Sequence, residues 1–566
     1  PDWWTDGFGS AARETAASRK THSDMTAVEG LLSMAVLKDK CLPQATHQQI
    51  EHIHESLLFY DEHTFGASES VSDPLCENSQ VQWGEKSAYA WEAVKRTQML
   101  YETSVGLLQG DLRRGKNPTL TIFNTLNWKR SEMLTVYIDF EVIPRNQFFE
   151  ITDFQGHSLK VQPIRYRREG CYYAIFAEDI PPMGYKTFEI VFKQPSTDTG
   201  TITINNASIE NHFYKLQLNP DKGTIQSLYD KELNCELVDS SSPWELGAFI
   251  YEKLGNRDQL AQYRLDDYNR TGLSECRIIN SSNGPIYQRI LLQGKSPGTD
   301  EAFGVNLEIK LYHDTKRIEL EYAIKRLPET DPSGIYVAFP FQLPEGKLAF
   351  DVQGGTVISG KNQLEGTSTD WNTVQNFVSV QNNQAQIIIG SSLIPLYQLG
   401  DINLGKFQYQ KQYERPHVYS WVMNNYWNTN FKASQEGEFR WSYHLTSSVD
   451  PSNNLATKFG WSSRIPLYAR VMPTGTENHK PTEYSAFHFE KDNFLMTSCT
   501  PSKEEGYILL NIREIDGKRT NLRILNEDGQ TIPFTIVNAI EEKLENETSE
   551  HIFEGYQNKF IKIKRF

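Results

Sequence analysis

The stretch VNLEIKLYHDTKRIELEYAIK (residues 305–325) decides the fold class. Val305, Leu307, Ile309 and Leu311 alternate with polar residues, and Ile318, Leu320, Tyr322 and Ile324 do so again after His313-Asp314-Thr315-Lys316. A period of two turns one face of each segment toward a core. The stretch therefore reads as an antiparallel hairpin with a short polar turn. In MLTVYIDF (133–140) the same alternation aligns Leu134, Val136, Ile138 and Phe140. Pro181-Pro182-Met183-Gly184 leads into another such segment, TFEIVFK. Between about 211 and 448 strands recur too often for one small sandwich, and a last β unit reads from about 450 to 566. The polar run QPSTDTGTITINN (194–206) reads as a boundary between β units.

Upstream of Gly115-Lys116-Asn117-Pro118 the period changes to that of a helix. Val28, Leu31, Leu32 and Ala35 fall at i, i+3, i+4, i+7, as do Ile50, Ile53, Leu57 and Leu58 in the next segment. A third stripe over 87–108 aligns Trp91, Val94, Tyr101, Val105 and Leu108. Three amphipathic helices suit a small bundle, each burying one stripe on the others. The expected class is α+β multidomain: a short first segment over 1–20, a three-helix bundle over 21–114, then antiparallel β-sandwich domains over 115–200, 201–449 and 450–566.

Composition narrows the function. At 566 residues the chain exceeds one small domain, and roughly 150 residues per domain suggests about four. With 57 basic and 72 acidic residues the net charge is −15, and no dense Lys/Arg block appears. A nucleic-acid partner is disfavoured, because such surfaces show a clustered basic excess. No run of about 18 apolar residues exists, so no membrane-spanning helix is expected. Six cysteines lie far apart without a CxxC pair, which is neither a disulfide framework nor a thiolate zinc site. The 11 Trp, 27 Tyr and 29 Phe favour strands and also supply flat apolar faces for ligands, sugar rings first among them. The chain opens PDWWTDGFGS, and so apolar a start implies polypeptide upstream of Pro1.

The histidines His47, His52, His54 and His63 invite a metal reading. His54-Glu55 begins like HExxH, but Leu58 stands where the second histidine belongs, and His52 and His54 diverge on a helix. His63 differs: it follows the apolar end of a helix in LLFYDEHTFGASES and precedes a Gly/Ser loop, a natural place to present a side chain to a cleft. The alternative is a satisfied loop histidine. Asp61 or Glu62 could orient its ring, or be solvated helix-end charges. Asp6 in WWTDG could line a cleft or serve an Asp-Gly turn. Trp3 and Trp4 read as packing rather than sugar platforms. In the segment 424–430 (NNYWNTN), Asn425, Tyr426 and Asn428 combine amides with an aromatic, which suits sugar hydroxyls. The competing reading is a structural loop whose asparagines cap local backbone. Asp266-Asp267 and Glu541-Glu542 read as surface charge.

Several stretches resemble glycoside hydrolase family 38 α-mannosidases. DWWTDGFGSAARETAASRK (2–20) resembles the family's exit from its catalytic barrel into the helical bundle, and IFNTLNWKR (122–130) the start of its first β domain. ENHFYKLQLNPDKGTIQSLYDKE (210–232), WVMNNYWNTNFKASQEGEFRWSY (421–443) and SKEEGYILLNIRE (502–514) resemble later β regions, so the likeness runs through the whole chain in order. The resemblance implies that 1–20 is a remnant of the barrel exit, 21–114 the middle domain, and 201–449 a large mutarotase-like supersandwich. It also implies a Zn²⁺ site made by a His and an Asp early in the barrel, a second barrel Asp that is also the nucleophile of a retaining mechanism, and a later His that maps onto His63. The catalytic carboxylates are then expected upstream of residue 1. Many members place an Asp after that histidine; here Thr64 follows, so that contact is not carried over.

The leading expectation is thus the C-terminal part of a zinc-dependent retaining glycoside hydrolase acting on α-mannoside oligosaccharides or glycans, inactive as an isolated chain. The alternative is a non-catalytic carbohydrate-binding β-sandwich protein, and a third reading is a purely structural module. Oligomeric state, a homo-oligomer included, and compartment, periplasm or cytoplasm, stay open.

Overall fold

The computed structural model describes residues 4–194, 202–203 and 207–566. Trp3 and most of the expected boundary at 194–206 lie outside them. After a short 3-10 helix (Thr5–Ala11) come three long helices: α1 (Ala12–Leu37), α2 (Thr46–Asp61) and α3 (Glu77–Leu108). α1 is buried on several sides at once. Val28 and Leu32 meet Ile53, Leu57 and Leu100 of the other helices, while Leu31, Met34 and Ala35 join a β core with Phe123, Ile512 and Ile561. A helix so surrounded carries little amphipathic signal. The stripe expected on α3 holds at its end, where Val105 and Leu108 are buried, but not at its start. Trp91 is 45% exposed, Val94 and Tyr101 are half-buried, and the buried face there is Ala90, Ala93, Thr97 and Leu100. Small residues let α1 and α3 approach closely, which bulk alone does not reveal. Leu58 is likewise exposed.

The hairpin at 305–325 forms as expected: Val305–Tyr312 pairs antiparallel with Ile318–Arg326, Leu311 opposite Ile318. It lies within a ten-stranded sheet that packs on a six-stranded sheet containing Ala248–Leu254, Ser333–Phe339 and Val418–Asn424. Leu307, Leu320, Val337 and Val418 meet between the sheets. The six-stranded sheet is buried on both faces. Tyr336 and Trp421 point to its other side and stack 5.7 Å apart in a second core with Ile250, Trp371 and Leu404. Long loops cover that face, and the candidate site lies among them.

The first β unit is a sandwich of a five-stranded and a three-stranded sheet. Its larger sheet is completed from far away in sequence: Thr119–Asn124 pairs with Gly184–Lys193 on one side and with Tyr468–Met472 on the other. Glu483–Ser485 forms the opposite edge. The expected last domain at 450–566 therefore shares its first part, after helix α4 (Asn453–Arg464), with the first sandwich. The remainder is a small β unit around Phe494–Pro501 and Tyr507–Glu514, packed on α1. The observed architecture is an α+β multidomain chain of helical bundle and antiparallel sandwiches. Among the described residues no helix is long and apolar enough to cross a membrane, and all six cysteines are free.

Candidate functional site

A cavity of about 300 Å³ opens on the outer face of the six-stranded sheet, lined by Trp4, Asp6, Asp370, Trp371, Tyr426 and Asn428 among others. Its wall is held by the segment 424–431. Asn424, 1% exposed, donates its amide to the Asp6 carbonyl at 2.9 Å. Trp427 donates its indole N–H to Asp6 Oδ1 at 2.9 Å and stacks on Trp4 at 4.7 Å. Asn425 is 4% exposed and gives its amide hydrogens to the carbonyls of Glu329, Asp331 and Ala433, while its oxygen accepts from Ser333 N. That side chain braces backbone and does not line the cavity, so the structural alternative describes it and the expected sugar contact does not. Tyr426 lines the cavity, but its hydroxyl is spent on buried Glu252 at 2.6 Å. Asn428 is exposed at the rim.

The turn after Trp4 is shaped by close approach. A Cβ on Gly7 would sit 2.0 Å from Phe431 Cε1, and one on Gly9 2.3 Å from Asn424 Nδ2. Phe431 is itself wedged against Phe65 and Trp427. Gly7→Ala is expected to destabilise the protein by roughly 1–3 kcal/mol through overpacking, measurable by chemical denaturation, with the Trp4–Trp427 contact disturbed.

Asp6 is 6% exposed, and burial pushes its carboxyl up to about 7 against the hydrogen bonds from Trp427 and the backbone, with Asp370 raising it further. Asp370, 2% exposed, is raised to about 6, again by burial, opposed by the Gly405 amide and Lys411. Its Oδ1 meets no hydrogen-bond donor among the described residues. A carboxyl raised to about 7, as Asp6 is, keeps its proton up to neutrality and can then donate as well as accept, which an ionised carboxylate cannot; Asp370 does so in mildly acidic solution. Asp370 carries no sequence signal, being an isolated acid in a polar loop, and only the fold brings it to Asp6.

His63 stands on the loop after α2, with its side chain 47% exposed and its ring 5.3 Å from that of Trp4. The loop is pinned to the cavity wall: Phe65 N donates to Asn430 O, and Asn430 N to Ala67 O. The neighbouring carboxylates are otherwise engaged. Asp61 accepts from Ser18 at 2.9 Å and faces His22 at 2.8 Å, so it orients His22 and not His63. Glu62 accepts from Thr64 and from Lys86, with His63 Nδ1 3.7 Å away. His54 pairs with Glu29 at 2.6 Å. Asp6, Tyr426 and Asn428 thus share one cavity, His63 adjoins it through Trp4, and Asp61 and Asn425 lie outside it.

Two family models match the chain in order: the alpha mannosidase middle domain over residues 2–108, and the glycosyl hydrolases family 38 C-terminal domain over residues 209–407. No curated protein matches it. An alpha-mannosidase from Enterococcus faecalis V583 is similar in fold, with TM-score 0.77 and 14% identity, over 99% of this chain and 68% of that one. A second Enterococcus faecalis protein of glycosyl hydrolase family 38 has TM-score 0.74 and 14% identity, over 99% of this chain and 71% of that one. In sequence, order of domains and fold, the chain belongs to glycoside hydrolase family 38, of which it comprises the middle and C-terminal parts.

Proposed function

We propose that the chain is the C-terminal part of a zinc-dependent retaining α-mannosidase, supplying one zinc ligand and part of the sugar-binding wall. The observation that carries this reading is the placement of His63: exposed, beside Trp4, on a loop fastened to the wall of the cavity. Asp6, Asp370 and Asn428 offer hydrogen-bonding groups to sugar hydroxyls there, and Trp4 offers an aromatic face.

Among the described residues no group of three or more His, Cys, Asp or Glu could hold a metal. Zinc sites use three or four protein ligands, and Asp61 and Glu62 are committed elsewhere. We therefore assign the remaining ligands, the nucleophile and the acid/base to polypeptide outside this chain. Retaining hydrolysis needs two carboxyl groups about 5–5.5 Å apart across the scissile bond, and Asp6 and Asp370 are given a binding role instead. The purified chain is expected to hold no stoichiometric zinc and to leave p-nitrophenyl α-mannoside uncleaved. Turnover by this chain alone overturns the assignment. In an extended protein that is active, His63→Ala is expected to remove both metal and rate by more than the roughly 10–100-fold that follows loss of an outer-shell partner. Retention of both makes His63 an ordinary loop residue.

A second reading is a carbohydrate-binding protein without hydrolysis, favoured by a cavity that combines Trp4, Trp371 and Tyr426 with Asp6, Asp370 and Asn428. Inactivity of the extended protein, together with sugar-dependent stabilisation of the present chain, would favour it.

A further inference from the structure

A second cavity, of about 340 Å³, lies where α1, α2, α4 and the C-terminal sheet meet the edge of the ten-stranded sheet. On α1 it is reached near residues 22–29, roughly 20 Å along the helix from the end near Asp6 at 1.5 Å per residue. Its walls hold buried charge of both signs. Asp351 is 1% exposed; its Oδ2 accepts from Asn376, while its Oδ1 accepts no hydrogen bond among the described residues. Arg513, 6% exposed, leaves its Nε without an acceptor, and its Nη2 stays 3.9 Å from Asp351 Oδ1. Trp461 lines the same cavity with its indole N–H unpartnered. Arg464 is fixed beside them by Ser23 at 2.7 Å and Asn376 at 3.2 Å.

An acceptor without a donor thus lines the same cavity as two donors without acceptors, and the nearest approach of the two charged groups is the 3.9 Å from Arg513 Nη2 to Asp351 Oδ1. Buried polar groups left in that state cost about 1–3 kcal/mol each, so the arrangement calls for something that donates and accepts at once. A hydroxyl does both. An oxyanion would suit Arg464 and Arg513 but would meet the carboxylates of Asp351 and Glu29, and a cation would meet the two guanidiniums. Carboxylate, guanidinium, amide and one indole face together fit a neutral ligand bearing several hydroxyls. The volume falls at the lower end of small-molecule pockets, roughly 300–1,000 Å³. We propose that this cavity is a second, non-catalytic binding site for a neutral polyhydroxylated ligand of monosaccharide size. The inference is independent of the role given to His63 and the first cavity.

The test is titration of the purified chain with D-mannose, D-glucose and sodium sulfate, following tryptophan fluorescence and melting temperature. A saturable response to either sugar below about 100 mM, the range in which a millimolar site fills, is expected. The fluorescence part is expected to vanish in Trp461→Phe. Asp351→Asn, which keeps the side-chain shape, is expected to weaken binding at least tenfold while melting as a folded protein. Arg513→Lys is a second variant that keeps the charge and is expected to lose affinity similarly. Three results would overturn the proposal: a sugar response unchanged by Trp461→Phe, which belongs to another site; a response to sulfate and not to sugar; or no response, which leaves a water-filled junction.

Discussion

Asp6→Asn is expected to stabilise the protein by up to about 4 kcal/mol above pH 7 and by almost nothing near pH 4. Burial raises the Asp6 carboxyl from 3.8 to about 7, about three units at 1.36 kcal/mol each. The sign follows from proton counting. Between those two values the folded chain still holds a proton that the unfolded chain has released, so stability falls as pH rises. The loss begins at the unfolded value and levels off above about 7. Asparagine cannot ionise and escapes it, while its side-chain oxygen can still accept from the Trp427 indole, as Asp6 Oδ1 does. Asp370, raised to about 6, shows the same behaviour over a narrower window, and because the two carboxyls repel, their effects will not add. Urea unfolding of both proteins at pH 4 and pH 8 checks this. Equal stability differences at the two pH values would show that Asp6 ionises freely in the fold. A stabilising substitution at the cavity wall would mark Asp6 as a residue kept for binding at the expense of stability.

The opposite effect is expected beneath the cavity. Glu252 is fully buried and accepts from Tyr426 at 2.6 Å, Tyr336 at 3.2 Å and Arg270. Arg270 in turn lies over the Tyr268 ring. Arg270→Met leaves that carboxylate buried with hydroxyl donors alone, and removing one partner of a buried pair costs roughly 3–5 kcal/mol. The same carboxylate holds the hydroxyls of Tyr336 and of Tyr426, which lines the cavity, so its loss of a partner loosens the cavity wall along with stability. Adding Glu252→Gln to Arg270→Met is expected to recover part of the loss, because a neutral amide still accepts from both hydroxyls. Equal stability of Arg270→Met and the parent protein in guanidinium melts would show that Glu252 is solvated after all.

The hairpin at 305–325 was legible because alternation along strands of eight and nine residues leaves one register that buries Leu307, Ile309 and Leu320 together. The stripe of α2 was legible through Ile53 and Leu57 and that of α3 through Val105 and Leu108, but the first half of α3 was misread, since Trp91 advertises hydrophobicity while Ala90 and Ala93 do the packing. The start of α3 at Glu77, ten positions before the expected one, was hidden because its first turns face solvent and its cap is Cys76, whose sulfur accepts from Ser79 N. In the amide-rich segment 424–430, composition could not separate bracing from binding. Asn424 and Asn425 tie down backbone, whereas Asn428 reaches the rim. Asp370 and the pairing of Thr119–Asn124 with Tyr468–Met472 left no local trace, because both depend on chain segments that meet only after folding.

That last pairing has a consequence for biogenesis. Phe123 finds its neighbour Tyr468 only after most of the chain has been made. At roughly 5–20 residues per second, a ribosome needs on the order of tens of seconds to bridge that gap. Throughout that interval the nascent Thr119–Asn124 strand offers an unpaired edge, so translation speed and chaperone supply, as much as thermodynamic stability, set the yield of correctly assembled molecules.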